Sequence, residues 1–382
     1  MGISTKPEAK SRRDPIKKTT EVRSLKYNQI MKRSTILLIL AIIFLAGCQL
    51  WGATPSPPIP ASQSPSPSIT PSQSSPVSSS PSVSTSPSPQ VTKTPLPPIS
   101  LIPPNAGLAE GRISAFLDEY GFYFLYRPTK PSNPPQTLVV IHGTPAKDLT
   151  AGETALYYAE HWAPFAEENG WLLLVPAFNQ ADFSSRRGEI TDALTGYRGL
   201  FGREIGADEW ILRLLGLGWE ALDQPEAPIL IYGHSAGGQY VGRFLVTHPE
   251  RVERAVISAA VTYPQPDPAL SWPYGMGPLS SEIVWDDGTT AQVAVQPDLV
   301  KWLAASQIPT KVIVGLNDLE PQLQRPGQEG RVRLAIGKNW VESMRLFASE
   351  NGLESQISFE AIPGKGHSML GLLPYCQRAL LE

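Results

Sequence analysis

A serine lies among small residues in the run Gly233-His234-Ser235-Ala236-Gly237. An apolar run at 229–232 directly precedes it, and a helical pattern at about 237–247 directly follows it. A serine hydroxyl becomes a useful nucleophile when a sharp turn exposes it and a neighbouring base removes its proton. The pattern therefore predicts Ser235 as a catalytic nucleophile at a strand-to-helix turn. The alternative is a glycine-rich turn with an idle serine.

The base that this serine needs can be sought by elimination, because the sequence contains only five histidines. His234 lies within the turn itself, and His142 lies at the end of a predicted strand. His161 lies inside a predicted helix, and His248 ends another. His367 lies in the flexible loop 363–368, which follows the last predicted strand. We predict His367 as the general base, and the alternative is a histidine on a surface loop.

A third residue should orient the imidazole and stabilise its positive charge. Asp318 follows an apolar run at 311–314, at the carboxyl end of a predicted strand and between the serine and His367 in the chain. We predict that Asp318 has this role. Glu320 is the main alternative and Asp298 a weaker one, and Asp318 could instead bond only to its own turn.

Acyl transfer also needs two backbone N–H groups that hold the developing oxyanion. Ala236, directly after the serine, is predicted to supply one of them. The run His142-Gly143-Thr144-Pro145, after another predicted strand, is the source of the second. Proline has no N–H, so Thr144 is the preferred donor and Gly143 the other possibility. The alternative for Gly143 is a simple strand-ending turn.

The elements that would position these residues alternate between apolar runs and helical patterns. Strands are predicted at 113–120, 122–127, 138–141, 171–178, 229–232, 255–259, 311–314 and 357–362. Helices are predicted at 154–168, 207–222, 237–247 and 331–350, with a closing helix after the last loop. Such alternation predicts a parallel sheet with helices on both faces.

The stretch 263–300 has no clear period and predicts a cap-like insertion. It is rich in proline, glycine and tryptophan, and long irregular stretches inside compact domains are often functional. Four aromatic residues of this stretch could line a substrate pocket: Tyr263, Trp272, Tyr274 and Trp285. An equal alternative is that they pack the insertion onto the body of the domain.

From Thr137 to His367 the chain resembles the α/β-hydrolases, on the His142-Gly143 pair, the serine turn, the Asp318 segment and Gly366-His367. The turn and its helix resemble, more loosely, carboxylesterases of the poly(3-hydroxybutyrate)-depolymerase type. The resemblance implies an α/β fold and hydrolysis of small carboxylic esters through an acyl-enzyme on Ser235, with no metal or cofactor. A peptidase, an extracellular polyester depolymerase or a non-catalytic binding protein are the alternatives.

The N-terminal part differs in composition from the rest. Lys32 and Arg33 precede an apolar stretch of about thirteen residues, too short to span a bilayer, and Leu45-Ala46-Gly47-Cys48 resembles the lipobox of bacterial lipoproteins. We predict an extension and signal peptide at 1–47, with Met31 as an alternative start. Cys48 would be lipidated, followed by a disordered Pro/Ser-rich linker over 48–104 and a catalytic domain over 105–382.

Charge and cysteine content exclude other classes of function. The formal net charge is −3, and no basic stripe marks the globular part, so nucleic acid is not an expected partner. The two cysteines, Cys48 and Cys376, cannot form a disulfide framework, and Cys376 is predicted to be a buried apolar residue. The lipid on Cys48 would attach the protein to a membrane of the bacterial cell envelope. No obligate protein partner is implied.

Overall fold

A computed structural model of the chain describes residues 96–97, 99–100, 107–186, 196–285 and 287–382. These residues belong to one compact unit, Pro87–Glu382. The predicted signal peptide, Cys48 and nearly all of the predicted linker lie outside the described residues. No helix in the described part of the chain is long and apolar enough to cross a membrane.

Twelve strands lie among the described residues, and nine of them form a central sheet. In chain order they are β1 (Ile99–Ser100), β2 (Ile113–Leu117), β3 (Phe122–Tyr126), β4 (Thr137–Ile141), β5 (Leu172–Pro176), β6 (Ser185–Arg186), β7 (Ile229–His234), β8 (Val252–Ser258), β9 (Leu279–Trp285), β10 (Thr290–Val295), β11 (Thr310–Gly315) and β12 (Ile357–Ile362). The spatial order is β1-β2-β3-β5-β4-β7-β8-β11-β12. From β5 to β12 every neighbouring pair is parallel, whereas β3 is antiparallel to both β2 and β5.

Seven α-helices connect and cover these strands in the described part of the chain. They are α1 (Ala151–Asn169), α2 (Gln180–Phe183), α3 (Ala207–Ala221), α4 (Ala236–Thr247), α5 (Leu299–Ser306), α6 (Arg333–Glu350) and α7 (Met369–Leu381). One apolar cluster joins the sheet to α3, α4 and α6, and a second joins its other face to α1 and α7. The prediction of a mostly parallel sheet with helices on both faces is therefore confirmed, and this is the α/β-hydrolase fold.

The central strands are apolar without interruption because both of their faces are covered. In β4, Val139 and Ile141 belong to one apolar cluster, while Leu138 and Val140 belong to the other. All residues of β4 and β7 are buried. Two such strands side by side give a rigid platform, and the loops at their carboxyl ends are held in place by that platform.

Two element boundaries differ from the sequence prediction for identifiable reasons. Helix α1 begins at residue 151 rather than 154, because Thr150 and Glu153 form a capping box that satisfies the first backbone donors. Strand β1, at residues 99–100, pairs with β2 although it falls inside the predicted linker. The central sheet therefore begins before residue 105, where the catalytic domain was predicted to start.

The insertion at 263–300 is more regular than its sequence indicated. Strands β9 and β10 form an antiparallel hairpin, and β6 adds to it to make a separate three-stranded sheet. Leu279, Ile283 and Trp285 are its buried residues on β9. The period of two is interrupted at Ser281. Gly288, with φ 85°, lies in the turn between the two strands. An Asp-Gly pair between two alternating segments is typical of a β-hairpin. The pair was not used in the sequence prediction, because the stretch has no clear period.

Candidate active site

Ser235 stands between β7 and α4 in a strained backbone conformation. Its φ is 54° and its ψ is −111°, values that cost a residue with a Cβ on the order of 1–3 kcal/mol. The turn is possible because glycines flank it. A Cβ at Gly233 would overlap the backbone of Gly237, and a Cβ at Gly237 would overlap the carbonyl oxygen of Ile141. Glycine is therefore required at both positions, because the backbones of β4, β7 and α4 approach each other too closely for a side chain. The same close approach places the serine above the sheet.

The structure brings Ser235, His367 and Asp318 into one hydrogen-bonded chain. The His367 Nε2 atom is 3.1 Å from the Ser235 Oγ atom, and its Nδ1 atom is 2.8 Å from Asp318 Oδ2. A carboxylate only accepts, so the proton of the neutral imidazole is on Nδ1 and the Nε2 lone pair faces the hydroxyl. This arrangement lets the imidazole accept the serine proton.

Asp318 is buried and is held from its second oxygen by an arginine. Arg333 Nη1 donates to Asp318 Oδ1 at 2.7 Å, and the same guanidinium lies 3.2 Å from Glu320. Burial alone would raise the pKa of Asp318, but the hydrogen bond and charge of His367 and the charge of Arg333 outweigh it, so the pKa is lowered. Asp318 therefore stays ionised at neutral pH.

Arg333 was not among the residues that the sequence indicated. It is buried and is the first residue of α6, where a cation is electrostatically unfavourable because the N-terminus of a helix is positive. An arginine at such a position indicates a tertiary partner, and here the partner is Asp318. The exact first residue of the helix, which the structure gives, is needed for this inference.

The alternatives to Asp318 have other roles in the structure. Glu320 has a side chain that is 72% exposed, and its Oε2 accepts from both Nη atoms of Arg333 at 3.2 Å. Asp298 caps α5, where its Oδ1 accepts the N–H of Val300 at 2.9 Å. Neither carboxylate bonds to His367, so the geometry favours Asp318 as the orienting group.

The other histidines are also engaged elsewhere. His248 lies 2.7 Å from Asp208, and His161 bonds to the Tyr157 carbonyl of its own helix. His234 is buried with its ring centroid 4.9 Å from that of His367, and its Nδ1 lies 3.1 Å from Ser258 Oγ. Burial, aided by the charge of His367, lowers the pKa of His234 to about 3. It is therefore a neutral ring against which His367 packs.

The predicted oxyanion loop lies against the nucleophile. A Cβ placed on Gly143 would be 3.6 Å from the Cβ of Ser235. The Gly143 carbonyl faces His142 Nδ1 at 2.7 Å, and His142 Nε2 accepts the N–H of Phe178 at 3.1 Å. Burial lowers the pKa of His142 to about 4, so this ring is neutral and braces the loop from both nitrogens.

Of the two possible loop donors, Thr144 stays the preferred one and Gly143 the other possibility. A Cβ placed on Gly143 would lie 3.1 Å from the Tyr158 hydroxyl, so this side of the glycine is covered. The N–H groups of Ala236 and Thr144 have no acceptor among the described residues. Both are therefore available to a ligand next to Ser235 Oγ, in keeping with the requirements of an oxyanion hole.

Burial of Tyr263, Trp272 and Trp285 favours the alternative that these aromatic residues pack the insertion onto the body of the domain. Tyr263 is fully buried and stacks on Trp340 with ring centroids 4.8 Å apart, and Trp285 is also buried. Trp272 is buried and donates to the Gly199 carbonyl at 3.1 Å, beside a cleft of about 470 Å³ that none of the triad residues lines. Large aromatic side chains bury more apolar area in the core than a pocket wall allows. Tyr274 alone is partly exposed.

No cluster of three or more His, Cys, Asp or Glu side chains in the described ranges is arranged to hold a metal ion.

Neither a family model nor a curated protein sequence matches the chain, but solved structures do. Poly(aspartic acid) hydrolase-1 from Sphingomonas sp. KT-1 is 26% identical with a TM-score of 0.56, over 72% of this chain and 100% of that chain. The poly(3-hydroxybutyrate) depolymerase of Bordetella parapertussis is 19% identical with a TM-score of 0.52, over 72% and 88%. These similarities agree with the α/β-hydrolase fold and support a hydrolase.

Proposed function

We propose that the protein is a serine hydrolase that cleaves carboxylic esters through an acyl-enzyme on Ser235. The observation that carries the proposal is the hydrogen-bonded chain from Ser235 Oγ through His367 to the ionised Asp318. A serine, a base and an orienting carboxylate in this geometry are the parts that nucleophilic acyl transfer needs.

The reaction would begin with attack of Ser235 Oγ on the ester carbonyl while His367 Nε2 takes the hydroxyl proton. The C–O bond order falls, and the negative oxygen of the tetrahedral intermediate accepts the N–H groups of Ala236 and Thr144. Collapse expels the alcohol, which receives the proton from His367. Water then attacks the acyl-enzyme with His367 again as base, releasing the acid and restoring the serine.

A depolymerase acting on an extracellular polymer is the second candidate. The similar structure with 26% identity is by name a poly(aspartic acid) hydrolase, and the alignment covers all of that chain. The triad is also accessible, since the His367 side chain is 33% exposed. A long chain would need such an open approach to the reacting serine.

A matched substrate panel tests the proposed reaction. We expect the purified protein to hydrolyse p-nitrophenyl butyrate at least about 100-fold faster than the corresponding butyryl p-nitroanilide, because the amide is the less reactive acyl donor and its leaving group must be protonated. Release of nitrophenol or nitroaniline is measured beside release of soluble products from polyester and polyaspartate. Preference for the anilide or a polyamide would contradict the esterase proposal in favour of a peptidase or polyamide depolymerase. No turnover and no fluorophosphonate labelling would favour a non-catalytic binding protein.

We propose further that the domain is exported and held at a membrane by a lipid on Cys48, through the Pro/Ser-rich linker. The support is the order of charged residues, apolar stretch and Leu45-Ala46-Gly47-Cys48 in the sequence. In a bacterial host, Cys48→Ala is expected to move most of the protein from the membrane fraction to the soluble fraction, because the acylated residue is lost. The matched control is Ser34→Ala, which leaves the cysteine in place. Unchanged membrane association of the Cys48 variant would contradict lipidation.

A further inference from the structure

A one-turn 3₁₀ helix, Tyr197–Gly199, is fixed beside the oxyanion loop. The Tyr197 ring stacks on Phe178 with centroids 4.6 Å apart and lies 5.7 Å from the His142 ring. On the other side, the Gly199 carbonyl accepts the indole N–H of Trp272. With both neighbours held in this way, the backbone of Arg198 has a defined place next to the candidate site.

The guanidinium of Arg198 reaches the residue that we assign as an oxyanion donor. Its Nη2 atom is 2.7 Å from the Thr144 hydroxyl oxygen. Thr144 follows Gly143, which lies directly against Ser235, and α4 packs on the 3₁₀ turn. The Arg198 side chain is partly exposed, and its guanidinium reaches the loop that carries Gly143 and Thr144 beside Ser235.

This cation has no anionic partner in the described ranges. Its partners among the described residues are the neutral hydroxyls of Thr144 and Tyr197. Two other half-buried arginines pair with carboxylates: Arg127 with Glu110 at 2.7 Å and Arg251 with Glu226 at 2.6 Å. A guanidinium has five donors in a fork that matches a carboxylate, and no described carboxylate occupies that fork in Arg198.

A second cation, Arg243 of α4, lies near the first. It is fully buried, and among the described residues its guanidinium bonds to neutral acceptors: the carbonyls of Pro273 and Gln239 at 2.9 Å and the Thr262 hydroxyl at 3.4 Å. Tyr274 interacts with it electrostatically. Burial lowers the pKa of Arg243 to about 9, and the charge of Arg198 adds to this effect, yet Arg243 stays charged at pH 7. Gln239 lies four residues after Ser235, so Arg243 is bonded to the first turn of the helix that begins at the nucleophile.

We propose that Arg198 selects substrates that carry a carboxylate a few bonds from the scissile carbonyl, by binding that carboxylate with its guanidinium. This proposal rests on the proposed ester hydrolysis and names its substrate class. The buried Arg243 strengthens the attraction without touching the substrate. A neutral ester is neither attracted nor repelled by this cation. Neutral esters are therefore hydrolysed as well, but without the additional binding energy of the carboxylate.

Two matched substrate pairs test this selection. The first is 4-nitrophenyl hydrogen succinate and its methyl ester, with the carboxylate on the acyl side. The second is 4-acetoxybenzoic acid and its methyl ester, with the carboxylate on the alcohol side. In at least one pair the wild type is expected to show a kcat/KM about 10- to 100-fold higher for the acid, the size of a charge-assisted hydrogen bond. Arg198→Gln is expected to remove that preference, and Arg198→Lys to retain part of it.

Arg198 could also act by holding the loop through the Thr144 hydroxyl. Thr144→Val distinguishes this structural role from carboxylate binding, because it removes the hydroxyl but keeps the backbone N–H and the cation. This variant is expected to keep the acid preference, even where its turnover of both substrates falls. In the wild type, 0.5 M NaCl is expected to reduce the preference, because exposed charges are screened. Hydrolysis of both methyl esters with no acid preference in either pair, or a preference that survives in Arg198→Gln, overturns this inference alone. Failure to hydrolyse any of the four esters overturns the proposed function.

Discussion

Replacing Ser235 with alanine is expected to lower kcat for p-nitrophenyl butyrate by about 10⁴- to 10⁶-fold, the loss that removal of a triad nucleophile causes. The variant loses the Oγ atom that lies 3.1 Å from His367 Nε2 but keeps the Cβ and the turn. The thermal unfolding midpoint is therefore expected to stay within a few degrees of the wild type. Labelling by a fluorophosphonate probe is expected to disappear as well, because the nucleophile is lost. Initial rates measure the change in kcat, and calorimetry measures the unfolding midpoint.

The matched control for this substitution is Ser343→Ala. Ser343 lies on α6, and its hydroxyl bonds only to the Asn339 carbonyl of the same helix. Its kcat is expected to change less than about twofold, as is usual for surface substitutions away from a site. If Ser235→Ala retained more than about 1% of the wild-type rate, the acyl-enzyme on this residue would have to be abandoned.

The second large effect is expected for Asp318→Asn, which should lower kcat by about 10³- to 10⁴-fold. The amide keeps the size of the carboxylate but can present N–H to His367, so the imidazole no longer keeps its proton on Nδ1 and its lone pair toward Ser235. The substitution also leaves the buried Arg333 with only the exposed side of Glu320 as its anionic partner. A lower unfolding midpoint is therefore expected together with the loss of rate.

Glu320→Gln is the matched control, because it changes a carboxylate on the same arginine in the same way. Its kcat is expected to fall less than about threefold, since a mostly exposed ion pair contributes little. The pair of variants also decides between the two carboxylates that the sequence left open. A larger loss in Glu320→Gln than in Asp318→Asn would assign the orienting role to Glu320.

Strands that are buried on both faces were predictable because their sequence is apolar without a break. The prediction for β12 matches its observed bounds, and those for β4, β7 and β11 differ from the structure by no more than about two residues at either end. The close approach of Ser235, Asp318 and His367 was also predictable, since the fold places strand ends at one edge of the sheet. The small number of histidines made the choice of base possible.

Two contacts that support the candidate site were not predicted from the sequence. Arg333 reaches Asp318 from the start of a different element, and Arg198 reaches Thr144 from a short 3₁₀ turn. Neither contact leaves a periodic or compositional trace in the sequence. The role of the aromatic residues in the insertion stayed open for a related reason: the side chains of Tyr263 and Trp272 suit a pocket wall or a core equally well, and only packing distinguishes the two.

The strained conformation of Ser235 has a consequence for how this protein can change. At φ 54° glycine folds without the cost that a Cβ brings, so the residue best suited to the turn is not the residue suited to the reaction. Natural proteins are stable by only about 5–15 kcal/mol, and a strain of 1–3 kcal/mol is a sizeable part of that margin. Selection for thermal stability alone would therefore favour glycine at position 235, and such variants would lack the proposed nucleophile. The serine persists only where turnover itself is under selection.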